Sequence, residues 1–140
     1  MPMKTKNLLT TMALTLTLLL AGKVGWGQPL LVENFDYTVG TTLLSNGWTE
    51  QGGPSTTNVL TINSGNLSYP SYISSNVGNS LSIANKGQDA YKGFTRQDSG
   101  SVYCAFLINV SAANTDGDYF FAFEPTAGNT NYTARLFAKK

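Results

Sequence analysis

Few residues in this chain are equipped for chemistry. It contains no histidine and one cysteine, Cys104, among 140 residues. That composition removes an intramolecular disulfide, a zinc site of the usual kind, and any Ser/His/Asp or Cys/His triad. Cys104 lies in Val102-Tyr103-Cys104-Ala105-Phe106-Leu107-Ile108, where a thiol is expected to pack as a small buried apolar group. The nearest approach to a paired-carboxylate site is Glu33 with Asp36. On an extended strand a three-residue spacing sends the two to opposite faces, so they are not expected to flank one bond of a substrate.

Two further constellations can be weighed. Asn114-Thr115-Asp116-Gly117-Asp118 places side-chain oxygens at alternate positions beside a glycine, like the start of a calcium loop. Asn114, Asp116 and Asp118 are therefore candidate Ca²⁺ ligands. The glutamate that closes an EF-hand loop is missing, since that position is Pro125. The competing reading is a hairpin turn, with Asn and Asp tolerating left-handed backbone and Gly117 supplying positive φ. Trp48, Tyr69, Tyr72 and Tyr91 lie in or beside turn-rich stretches and are candidate ligand-binding residues. Exposed aromatic faces stack on sugar rings, whereas the same rings turned inward cap a core.

The elements that would position these residues read as short strands. Leu30–Phe35, Val59–Asn63, Leu67–Tyr69, Ser80–Ala84, Tyr91–Thr95, Ser101–Ser111, Tyr119–Phe123 and Tyr132–Lys139 are each bounded by Gly, Asn, Ser, Asp or Pro. Leu60 and Ile62, then Leu81 and Ile83, alternate with small polar residues, which gives one apolar face per strand. Ser101–Ser111 is apolar on both faces and is expected to be a central strand paired with Tyr119–Phe123. No helical periodicity follows the N-terminal segment, and the pattern predicts an all-β sandwich.

That N-terminal segment has the layout of a signal peptide. Lys4 and Lys6 precede an uncharged apolar run from Leu8 to Leu20, and Gly25-Trp26-Gly27 places small residues at a cleavage site. The run is shorter than the roughly 20 residues that span a bilayer. Residues 1–27 are expected to be removed between Gly27 and Gln28, the alternative being a retained N-terminal anchor. Loss of Lys4, Lys6 and Lys23 leaves six basic residues against eight acidic ones, taking the formal charge from +1 to −2. Such a chain offers no basic tract for nucleic acid and no basic amphipathic helix for a membrane surface. The mature chain, 28–140, is expected to carry no membrane span and to be secreted or displayed at the cell surface.

Asn34-Phe35-Asp36-Tyr37, Val39-Gly40-Thr41-Thr42-Leu43 and Asn46-Gly47-Trp48 occur in that order. Ser64-Gly65-Asn66-Leu67-Ser68-Tyr69-Pro70, Val102 to Val110 and Gly117-Asp118-Tyr119-Phe120-Phe121 follow. Together they resemble the N-terminal part of secreted bacterial concanavalin A-like lectin/glucanase domains in Bacteroidetes-type surface proteins. The resemblance implies an antiparallel jelly-roll β-sandwich that interleaves early and late strands, so residues 28–140 are expected to form the N-terminal portion of a longer domain with one flank open. It implies a non-catalytic, lectin-like carbohydrate-binding module within a larger protein. Glycosidases of this fold carry Glu-x-Asp-x-x-Glu, with acid and nucleophile about 5 Å apart, and no such triplet occurs here. The alternative is a structural or adhesive module whose partner is a cell-envelope protein. A polysaccharide hydrolase is the third reading, and no cofactor beyond the Ca²⁺ candidate is implied.

Overall fold

The computed structural model describes residues 27–140, so the signal-peptide reading of residues 1–27 falls almost wholly outside the described residues. Regular structure among the described residues is antiparallel β, apart from one 3-10 turn at Leu44–Asn46. Six strands form three two-stranded sheets: β1 (Thr49–Gln51) with β4 (Asp89–Tyr91), β2 (Ile62–Asn63) with β3 (Ser80–Leu81), and β5 (Asp118–Phe123) with β6 (Thr133–Ala138).

The core forms where apolar residues alternate with small polar ones. Leu43, Leu60 and Ile62 are buried, and Phe35, Tyr37, Trp48, Leu81 and Ala90 pack against them. The backbone of 40–43 zips onto β2 and the residues before it: Gly40 N–H donates to Ile62 O at 2.9 Å, Ile62 N–H to Thr41 O at 3.0 Å, and Leu43 N–H to Leu60 O at 2.8 Å. Ile62 faces Leu81 across the β2–β3 ladder. This segment is thus flanked on both sides, which is why so short a strand buries Ile62 completely.

Buried amides do the equivalent work beside β1. Gln88 Oε1 accepts from Leu60 N–H at 3.1 Å, and its Nε2 donates to Glu50 Oε1 at 3.0 Å. Gln51 Nε2 donates to Asn129 O at 2.9 Å and to Tyr132 Oη at 3.3 Å, tying β1 to the loop before β6.

Several expectations change. Leu30–Phe35 is not a strand: Phe35 adopts φ 51°, and Tyr37 N–H donates back to Phe35 O at 2.8 Å, folding the chain into a tight turn. Leu67–Tyr69 runs into a turn system instead of a ladder. Ser101–Ser111, expected as a central strand, has no strand neighbour among the described residues, and β5 pairs with β6 instead, across a turn in which Asn129 N–H donates to Thr126 O at 3.1 Å. With no sheet laid over it, Cys104 is exposed, correcting the expectation of a buried thiol. The β5–β6 register slips between Tyr119 and Phe121 and again between Phe121 and Phe123. The second slip falls where Ala134 takes φ 49°, the left-handed backbone that lets an extra residue bulge from a ladder.

Candidate functional site

Glu33 is the most heavily engaged polar side chain among the described residues. The turn at Phe35 brings Glu33 and Tyr37 to the same side, and β1 and β4 deliver Trp48 and Lys92 from their ends. Glu33 Oε1 accepts from Phe35 N–H at 2.8 Å. Its Oε2 accepts from Tyr37 Oη at 2.7 Å, Trp48 Nε1 at 3.1 Å and Lys92 Nζ at 2.7 Å. Lys92 Nζ also donates to Tyr37 Oη at 3.0 Å and lies 5.7 Å from the centroids of both the Tyr37 and Trp48 rings. Phe35 stacks on Trp48 with ring centroids 6.2 Å apart.

The Glu33 side chain is only 12% exposed. Burial alone pushes its carboxyl up. The hydrogen bonds from Lys92, Tyr37, Phe35 N–H and Trp48 together outweigh burial and hold it below its ordinary value. Lys92 moves the opposite way: its bonds to Glu33 and then Tyr37 raise it against a smaller effect of burial. Both shifts favour the charged forms, as in an ion pair framed by aromatic rings. Asp36 is exposed and outside the cluster, so the two carboxylates singled out in the sequence do not converge.

The aromatic candidates separate. Trp48 is half-buried, with its indole N–H and ring committed to Glu33, Phe35 and Lys92. Tyr91 is half-buried in β4, opposite Thr49. Tyr69, in contrast, is 65% exposed. Its N–H donates to Ser75 Oγ at 2.7 Å and its carbonyl accepts from Tyr72 N–H at 3.2 Å, so the turn fixes the backbone that presents the ring. Tyr72 is half-buried in the same turn system. Asn76 N–H closes that system on Leu67 O at 3.2 Å.

Asn114–Asp118 folds as a turn into β5. Gly117 takes φ 80°, Asp118 Oδ1 accepts from the Tyr119 N–H at 2.9 Å, and Asn114 O accepts from Lys140 N–H at 2.9 Å. Among the described residues no three His, Cys, Asp or Glu side chains cluster as metal ligands. Nor is any helix among them long and apolar enough to cross a membrane.

Lys92 was missed by sequence reasoning. It stands 59 positions from Glu33, and nothing in its immediate neighbourhood, Tyr91-Lys92-Gly93, marks it as a partner for a carboxylate. Comparison with protein-family models, with curated proteins and with solved structures finds no match.

Proposed function

We propose that the protein is a non-catalytic, secreted β module of jelly-roll type that binds carbohydrate as part of a larger secreted or cell-surface protein, using Tyr69 as its principal stacking residue and Tyr72 beside it. The observation that carries this reading is the exposure of Tyr69 on a turn held from both sides of its own peptide. A ring presented on an ordered backbone loses little freedom when a sugar face settles on it. Asn66, Ser68 and Ser71 are exposed nearby in sequence and supply hydrogen-bonding groups of the kind sugar hydroxyls need. Trp48 belongs to the frame in this reading, and no resident cofactor is assigned.

The state of Glu33 supports a non-catalytic role. A glycosidase acid needs a carboxyl whose pKa is raised, and Glu33 is held low by its donors. A second reading, a structural or adhesive module docking on a cell-envelope protein, draws on the exposed apolar side chains of Val102, Tyr103, Ile108 and Val110.

A glycan array probed with the purified protein tests the proposal. Binding that is lost in Tyr69→Ala and weakened in Tyr72→Ala, with both variants melting like the wild type, is the expected result. Failure to bind any glycan refutes it, and retention of a cell-envelope protein on an affinity column would then favour the second reading.

A further inference from the structure

From Phe94 to Ala113 no backbone–backbone hydrogen bond forms among the described residues. Within that stretch Val102–Val110 runs without a turn or bend, and its apolar side chains are open: Tyr103 is 90% exposed, Val110 52%, Ile108 49% and Phe106 39%. Phe106 rests on β5, with ring centroids 6.1 Å from Phe120 and 5.2 Å from Phe121, so the stretch lies beside a sheet without being hydrogen-bonded into it. An apolar run with unpaired amides and carbonyls is a template for strand addition.

The sequence of the run indicates what adds. Placed antiparallel to a second copy of itself about Phe106, Val102 meets Val110, Cys104 meets Ile108, and Phe106 meets Phe106. On the other face Ala105 meets Leu107. Opposed residues of an antiparallel pair share a face, so these four matches each join apolar groups, and the one remaining match sets Tyr103 against Asn109. Ser99 to Thr115 contains no charge, so no like charges oppose across the seam. The first oppositely charged positions that this register aligns are Arg96 and Asp116 of the second copy, beyond bends at Ser99–Gly100 and Ser111. Both are exposed, and at each end of a two-fold seam Arg96, which pairs with Asp98 of its own chain, would also face Asp116. We infer that the protein self-associates as a two-fold dimer through antiparallel pairing of Val102–Val110. This inference does not depend on glycan binding.

The register makes a specific prediction for cross-linking. Directly opposed residues of antiparallel strands have Cα atoms about 4.5–5.5 Å apart, inside the roughly 4.4–6.8 Å window of a disulfide. Under oxidation Ile108→Cys should therefore link to native Cys104 of the second copy and give a covalent dimer. Wild-type Cys104 should not link to its own copy, which lies roughly 14 Å along the seam. Leu107→Cys, facing the other side, should stay unlinked. Independently of any cysteine, the wild-type protein should sediment as a dimer. Val102→Lys should sediment as a monomer, and adding Val110→Glu to it should restore the dimer by placing opposite charges face to face. A wild-type monomer at about 100 μM, equal cross-linking of Ile108→Cys and Leu107→Cys, or no restoration by the second substitution overturns the inference.

Discussion

Replacing Glu33 with Gln keeps the size of the side chain and removes its charge. Whichever way the amide turns, its NH₂ group confronts a donor: the Phe35 N–H on one side, or Tyr37, Trp48 and Lys92 on the other. A hydrogen bond to a charged group contributes about 1.5–3 kcal/mol. Lys92 retains a quarter of its side-chain exposure, so solvent screening discounts the ionic part. The loss at pH 7 should be about 2–3 kcal/mol, lowering the melting midpoint by roughly 10 °C for a domain of this size. The pH dependence carries the sharper test. Because folding depresses Glu33 below 4.5, its contribution is fully present above that value. It is lost as pH falls through the folded-state pKa. Urea denaturation of wild type and Glu33→Gln, compared from pH 7 down to 3, should show the stability gap closing in the acid range, while carboxylates common to both cancel. A gap that stays constant, or no gap at pH 7, would refute the assignment of Glu33 as the anchor of this cluster.

Ile62→Ala empties a site with no exposure at all and should cost about 2–5 kcal/mol, read as a shift of the urea midpoint. Gly78 sits at φ 69°, and a Cβ there would overlap the Asn34 carbonyl that accepts from Asn79 N–H. Gly78→Ala should therefore destabilise beyond the roughly 1 kcal/mol expected for a left-handed alanine alone, by the same assay. Burial, followed by the neighbouring Tyr132 and the charges of Asp89 and Asp118, pushes Tyr119 up to about 12. Absorbance titration should show one tyrosine ionising late, and stability should fall as pH rises from 10 toward 12, because the folded state holds that proton more tightly. Titration of Tyr119 at its ordinary value of 10.0 would contradict this.

The sequence disclosed the parts of the fold that announce themselves through side-chain alternation. Leu60 and Ile62, with Leu81 opposite, mark β2 and β3, and the apolar pattern of Tyr119–Phe123 marks β5. Thr49–Gln51 could not be found that way. Its one buried residue is an amide whose NH₂ donates to groups 78 and 81 positions away while its Oε1 lacks a partner, and a polar strand leaves no hydrophobic signature. Ser101–Ser111 shows the converse failure. Alternation describes side chains, whereas a strand also needs a neighbouring edge, and none lies beside it among the described residues. The site divides along the same line. Glu33 and Trp48 were visible as residues of interest, but their roles depend on Lys92, which only the fold brings near. The exposure separating Tyr69 from Trp48 likewise arises from tertiary packing.

The absence of backbone pairing from Phe94 to Ala113 among the described residues also sets how the chain meets a protease. Lys92 and Arg96 lie four residues apart on the same stretch. The Lys92 ammonium is held by Glu33 and Tyr37, whereas the Arg96 side chain is 79% exposed and bonded only to Asp98. Trypsin must draw a basic side chain and several residues of free backbone into its cleft, so the bond after Arg96 is open to it and the one after Lys92 is guarded. A single nick there would part β1–β4 and their core from the β5–β6 hairpin. The two pieces would stay together only through side chains such as Gln51 on the Asn129 carbonyl and Phe94 against Phe123.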